Sequence, residues 1–408
     1  MHPILSALLR NKTGPALVAL QVALALAMTV NAVYVSVQRL EVANRPAGVV
    51  TANAFWISTR AYAKDLSFSS MVRSDLVLLR SMPGVASATM ISDIPLRASV
   101  SNTMFLYGAR PGIRSKQNLA FIYLIDEQGI AALGVKLIAG QSFDPATVLP
   151  ATDEKLSNAF FNTLPPEVII TRAFAKDLFP DGSSALGKTI YGAQDRPFRI
   201  VGVIDTMLGP WPLAPKNEQI VLSPALTPGP DAYYLVRTLP GRRDDLMRQA
   251  ENALSTSQTG RTVNRVQALD ETAARNNYGP RHMAMMLAIV VAVVLSVTAL
   301  GIYGLATFNV TTRTKQIGTR RAVGARRFHI IRQFMAENWI ITSVGVVLGS
   351  LLSLAISAKL APMIRSPRLP LYYLVGGILA LWILGLVATL RPARRAAAVS
   401  PAIATRTV

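Results

Sequence analysis

Residues 283–312, MAMMLAIVVAVVLSVTALGIYGLATFNVTT, run for thirty positions without a charged side chain. Crossing the ~30 Å hydrocarbon core as a helix takes about 20 apolar residues, because lipid offers no partner for an open backbone N–H or C=O. One lysine or arginine at the centre of such a segment costs about 2.5–3.5 kcal/mol. Thirty clean positions therefore read as a membrane span whose helix projects beyond the bilayer at one end. Three further stretches meet the same test. Residues 15–38 open with PALVALQVALALAMTVNAVYVSV, residues 338–358 lie between Glu337 and Lys359, and residues 369–390 lie between Arg368 and Arg391. The first is too long for a signal-peptide core of 7–15 residues and lacks a small-x-small cleavage site before Arg39, so it reads as an uncleaved anchor.

The formal charge of +20 over 408 residues invites a nucleic-acid reading, which fails once the charges are located. Every acid except Glu337 lies between Arg39 and His282, where 21 acids face 26 lysines and arginines. The other 16 basic residues are almost unopposed and crowd beside the apolar stretches. That pattern marks membrane topology, not a groove for phosphates, and nucleic acid is not an expected partner. Arg10 and Lys12 precede the first span. Arg313, Lys315, Arg320, Arg321, Arg326, Arg327 and Arg332 follow the second, and Arg391, Arg394, Arg395 and Arg406 follow the fourth. The positive-inside rule then places both termini in the cytoplasm.

The expected fold class is a polytopic α-helical membrane protein with four transmembrane helices and a large α+β extracytoplasmic domain inserted between helices 1 and 2. The expected divisions are a cytoplasmic segment 1–14, the span 15–38, an outer domain 39–282, and the span 283–312. A cytoplasmic loop 313–337, the span 338–358, a short outer loop 359–368, the span 369–390 and a cytoplasmic tail 391–408 complete the chain. In the outer domain EVIIT (167–171), FRIVGVI (198–204) and AYYLV (232–236) read as strands. Residues 75–81, 171–178 and 243–254 read as helices, the last with Leu246, Ala250 and Leu254 on one face. Pro- and Gly-rich stretches at 145–166 and 205–230 read as loops joining two lobes.

Two motifs carry less than they promise. GSSALGKT (182–189) matches the phosphate-loop pattern letter for letter. A working loop needs a strand before it and a helix opening at its lysine. Here a helical pattern precedes it and TIYGAQDRP, which cannot hold a helix, follows, so a turn is the better account. RPARR (391–395) reads as a stop-transfer flank in contact with anionic membrane lipid. With no cysteine and three scattered histidines, neither a thiolate nor a histidine metal site is expected, and no catalytic constellation emerges. The chain is therefore read as a non-enzyme, without a cofactor or an ATPase of its own.

The loop RTKQIGTRRAVGARRFHIIRQFMAEN (313–338) is punctuated by Gly318 and Gly324. After Ala325 it opens an amphipathic pattern with Phe328, Ile331, Phe334 and Met335 on one face. A short helix of this kind lies along the membrane or docks into a partner's groove. With the span before it, this segment resembles the permease domain of MacB/FtsX-type ABC transporters, whose pattern is (R/E)-x-x-E-I-G-x-x-(R/K)-A-x-G-A. Gln316 stands where an acid is usual, so any salt bridge made by that acid in relatives lacks its carboxylate here. SMPGVASATMISDIPL (81–96), ALGVKLIAGQSF (132–143), VIITRAFAKDLFPDGSSALGKTI (168–190) and FRIVGVID (198–205) resemble the family's periplasmic core domain. RPARRAAAVSPAIA (391–404) is similar to its closing motif.

The resemblance implies a half-transporter of the bacterial inner membrane. It pairs with a second permease chain, identical or paralogous, and is driven by a cytoplasmic ABC ATPase dimer that holds the ATP and magnesium. The 313–337 loop then receives the ATPase stroke, and the long second helix carries it outward to drive export. A periplasmic adaptor and an outer-membrane channel accompany some relatives. On this reading Ile317, Gly318, Arg321, Ala322, Gly324 and Ala325 match the coupling loop and are the expected ATPase contacts. Gly345 and Gly349, a GxxxG pair in the third span, permit close helix packing within the chain or between two copies. A signalling subunit of the FtsX kind, which regulates a periplasmic partner without moving solute, is the alternative. The outer domain, at roughly 240 residues, is larger than that branch tends to carry.

Overall fold

The computed structural model describes residues 13–63, 67–97, 104–110, 118–153, 157–192, 195–211, 214, 216–227, 229–363 and 369–399. Arg10, Lys12, Lys155, Arg365, Arg368 and Arg406, along with the last residues of the closing motif, lie outside the described residues. The chain divides into two compact units, one formed by residues 1–41 with 280–408 and the other by residues 42–279.

In the membrane unit four helices among the described residues are long and apolar enough to cross a bilayer. They are α1 (Thr13–Ala43), α7 (Leu269–Thr312), α9 (Arg327–Met363) and α10 (Leu371–Ala398), with the nine-residue α8 (Thr314–Ala322) between the middle two. Helix α1 is the most buried of the four and α7 the least. The core joins Val22, Leu26 and Val30 of α1 to Ile302 of α7, Ile341 and Val346 of α9, and Leu374 and Leu381 of α10. Gly345 and Gly349 face α1 of the same chain. A Cβ on Gly345 would stand 2.6 Å from the Ala19 carbonyl oxygen, and one on Gly349 would stand 2.7 Å from that of Ala23. One turn beyond, Asn31 donates to the Ser353 hydroxyl at 3.0 Å and to the Ala27 carbonyl at 2.8 Å. Such bonds hold membrane helices together where burial of apolar surface gives no net drive.

Among the described residues the outer unit is built on eleven strands: β1 (Ala54–Ala61), β2 (Val85–Ile91), β3 (Met104–Tyr107), β4 (Asn118–Ile125), β5 (Leu137–Gly140), β6 (Glu167–Thr171), β7 (Thr189–Tyr191), β8 (Pro197–Ile204), β9 (Ile220–Pro224), β10 (Asp231–Thr238) and β11 (Arg261–Ala268). Helices α2 (Phe68–Ser81), α3 (Gly129–Leu133), α4 (Asn158–Phe161), α5 (Arg172–Leu178) and α6 (Arg243–Ser257) are interspersed. All strands join one sheet in the order β11-β1-β10-β2-β4-β9-β6-β8-β5, with β3 on β4 and β7 on β8. Period-two alternation sorts the side chains between its faces. Phe55, Ile57, Met90 and Tyr234 pack under α2 and α6, and Ile122, Leu124, Val168 and Ile170 pack under α5. The opposite face carries Trp56, Ile91, Tyr123, Ile125, Leu222 and Leu235 as one continuous cluster. The two lobes expected from sequence are thus two halves of a single sheet. The 205–230 stretch, expected as loop, contains β9, whose five residues are all buried. A strand that short, bounded by prolines, carries too few positions to show a period.

The halves meet at a narrow seam, where Ile91 and Ile125 form the register pair between β2 and β4. Side chains replace the ladder beyond it. Asp126 accepts from the Thr89 hydroxyl at 2.7 Å and from Arg80 at 2.8 Å, and Gln128 accepts from the Ala88 N–H at 3.3 Å. Burial pushes the Asp126 carboxyl up to about 6, against the opposing pull of Arg80. The folded state therefore holds this proton more tightly than the unfolded chain, whose carboxyl titrates near its ordinary value. The stabilisation is complete below about pH 4 and is lost as pH rises through 6, a span of about 3 kcal/mol. In thermal unfolding of the purified chain, the wild type should gain on Asp126→Asn as pH falls from 7 to 4. A constant gap between the two would show that Asp126 does not titrate in this range.

Candidate functional site

The second and third spans are joined by α8 and a tight turn. Thr314 to Ala322 make two helical turns, and Val323 ends them. Gly324 follows at φ +98°, a left-handed conformation that disfavours any side chain, and no atom lies within 4 Å of where its Cβ would sit. Its N–H donates to the Arg321 carbonyl at 3.1 Å, and the Ala325 N–H donates to that of Arg320 at 3.1 Å. The chain thereby reverses into α9 within four residues.

The inward face of α8 is apolar. Ile317 packs with Val310, Ile330, Ala396 and Ala397, flanked by Ile331 and Phe334, and Gly318 is buried beside it. The remaining contacts are polar. Arg313 pairs with Glu337 at 2.9 Å, Gln333 donates to the same carboxylate at 3.1 Å, and Arg320 donates to Gln333 at 2.7 Å. Arg321 donates to the Val399 carbonyl just past the end of α10. Glu337, the single acid in the latter part of the chain, therefore ties the α7–α8 junction to α9, while Gln316 is exposed.

Of the six residues expected to contact an ATPase, Ile317 and Gly318 point into the chain and hold α8 in place. Arg321 and Ala325 are half-buried, and Ala322 and Gly324 are exposed. The exposed tip also presents Val323, 85% accessible, and Phe328, 66% accessible. Arg320, Arg326 and Arg327 surround them, all exposed. Sequence reasoning missed Val323, whose exposure depends on which side of α8 packs inward. It also expected a separate short helix from residue 326. Instead α9 runs unbroken from Arg327 to Met363, because no glycine or proline interrupts it before Gly345. The face expected to meet membrane or a partner is divided: Ile331 and Phe334 pack inward against the Ile317 cluster, while Phe328, one turn earlier, is left outside.

The phosphate-loop look-alike forms a turn between α5 and β7. Asp181 accepts from the Ser183 hydroxyl at 2.7 Å, which with the Ser183 N–H holds its carboxyl below the usual range. Lys188 lies over the Phe179 ring at 4.3 Å. The Gly187 N–H is spent on the Ile200 carbonyl at 2.8 Å, so these amides do not converge on an anion.

A sequence profile described as MacB-like periplasmic core domain matches residues 17–272, and one described as FtsX-like permease C-terminal matches residues 288–401. The chain belongs to the MacB/FtsX family of ABC transporter permeases. It is 26% identical over 362 residues to the macrolide export ATP-binding/permease protein MacB of Acinetobacter baylyi, covering 84% of this chain and 49% of that one. It is also 26% identical to the uncharacterized ABC transporter permease YvrN of Bacillus subtilis, covering 65% of this chain and 68% of that one. The permease spans 37–49% of the length of the first curated relatives it matches. Among solved structures, the periplasmic region of MacB from Actinobacillus actinomycetemcomitans aligns with 58% of this chain and 98% of its own, at 15% identity and a TM-score of 0.34. The permease is thus a multi-pass membrane protein with an α+β domain between its first and later helices.

Proposed function

We propose that this permease couples ATP hydrolysis by a separate cytoplasmic ATPase to a conformational change of its outer domain and to export of a substrate. The observation that carries the reading is the tip between α8 and α9. An exposed Val323–Phe328 knob in a basic collar is held rigidly by Ile317, Gly318 and the Arg313–Glu337 pair, on a segment flanked by two spans. Rigid apolar anchors in a polar rim are what a docking surface needs, and here they fit an acidic-rimmed groove on the ATPase. The basic flanks support a cytoplasmic position for this tip and both termini, where ATP and magnesium would be bound by the partner. A second permease chain completes the transporter on this reading. The size of the outer domain favours transport over signalling alone.

Val323→Asp should lower retention of the ATPase by the tagged permease roughly tenfold, since it buries a charge where an anchor was. Arg321→Glu, which breaks the tether to α10, should keep the assembly but lose substrate-stimulated hydrolysis. Full retention and stimulation in both variants would remove α8 from the coupling path. Vesicle flux that is absent while a periplasmic enzyme is activated would favour the signalling role.

A further inference from the structure

Where α1, α7 and α9 meet, they leave an open groove of about 360 Å³. Its walls are mostly aliphatic, with Ala27, Ala32 and Val35 of α1 opposite Leu287 and Val291 of α7, and Thr29 and Asn31 as the uncharged polar residues of the lining. At the end of α1 that leads toward the outer domain stands Arg39, the one charged residue in the lining. Arg39 is partly buried, and no hydrogen bond or ion pair engages it among the described residues. From Ala27 to Arg39 the helix rises about 18 Å, close to the ~15 Å depth of one leaflet. With the apolar end of the groove at mid-bilayer, Arg39 stands at headgroup level, where a lipid phosphate can meet its guanidinium.

The groove's size selects among apolar occupants. A helix is 10–12 Å across, so a segment of the same length would fill well over ~1,000 Å³. The observed volume holds an alkyl chain within the groove, whereas a second helix would have to lie across its open side. Charge and shape together define an anionic amphiphile, and the solvent around the spans is made of these.

We propose that the groove is a binding site for one anionic phospholipid of the leaflet on the outer-domain side. The phosphate pairs with the Arg39 guanidinium, and an acyl chain lies along the α1–α7 wall toward Ala27. An occupied groove braces α7, the least buried span, against α1. The inference does not depend on the ATPase reading.

Native mass spectrometry of the full chain, equilibrated with equal phosphatidylglycerol and phosphatidylcholine, tests it. The wild type should retain one lipid per chain with about a fivefold preference for phosphatidylglycerol, the value of one basic residue near a charged surface. Arg39→Gln should abolish the preference and keep a lipid. Val291→Phe, or Ala32→Phe if the first does not fold, should fill the groove and release both lipids. No preference in the wild type, a preference that survives Arg39→Gln, or lipid retained in both groove-filling variants would overturn the proposal. So would quantitative cross-linking of two chains through Ala32→Cys in native membranes, which would put a second copy in the groove.

Discussion

Arg261→Met should destabilise the outer unit by about 3–5 kcal/mol, the largest effect expected of any single substitution outside the membrane. The Arg261 and Asp75 side chains are 0% and 1% accessible and form an ion pair within the sheet–helix core. Arg261 also donates to the Leu254 carbonyl at 3.1 Å and to the Ser257 hydroxyl at 2.6 Å, closing the end of α6. Asp75 accepts from the Tyr234 hydroxyl at 2.7 Å. Burial pushes the Asp75 carboxyl up, and the Arg261 charge is the main influence pulling it back. With the guanidinium gone, an acid at the centre of α2 is left without a counter-charge. For a unit of this size the midpoint should fall by about 6–20 °C. The deficit should be worst at high pH and ease as acid protonates Asp75. Adding Asp75→Leu should recover most of the loss, because removing both charges is far cheaper than stranding one. A loss under about 1 kcal/mol in the single variant would mean that water reaches the pair.

Gly349→Leu should be the most damaging change within the membrane unit. Its Cβ would lie 2.7 Å from the Ala23 carbonyl oxygen and 2.9 Å from the Ala23 Cα, and backbone cannot step aside as a flexible side chain does. Helices α1 and α9 must separate, which strains the core and pulls Ser353 away from Asn31. Overpacking of about 1–3 kcal/mol adds to a membrane hydrogen bond worth about 0.6–1.7 kcal/mol. The purified chain should lose most of its monodisperse yield. Gly376→Leu is the control, since no atom lies within 4 Å of its Cβ, and it should purify like the wild type. Equal yields of the two variants would show that α1 and α9 do not pack through this face.

Much of the architecture was legible one segment at a time. Insertion into lipid depends on the local sum of side-chain transfer energies, so residues 283–312 announce a span without reference to any other part of the chain. The strands EVIIT and FRIVGVI were visible because an apolar run between turn residues is itself a local signal. The start of α2 at Phe68 was not, since its first N–H groups are met by Asp153, 85 residues on. The inward turn of Ile317 and Gly318 was equally hidden. Their spacing is that of any helix face, and only the ends of α7, α9 and α10 decide which side is inside.

By itself the sequence determined that the chain crosses lipid, where it does so, and that a large polar-surfaced domain separates the first crossing from the second. Hydrophobic length and basic flanks act through the solvent, which every segment meets independently. Only the tertiary structure decided that the strands form one sheet pinched between Ile91 and Ile125. It alone brought Asp75 to Arg261, Gly349 to Ala23, and Val323 to an exposed tip. Those outcomes rest on pairings between distant residues, where each partner's energy exists only once the other has arrived.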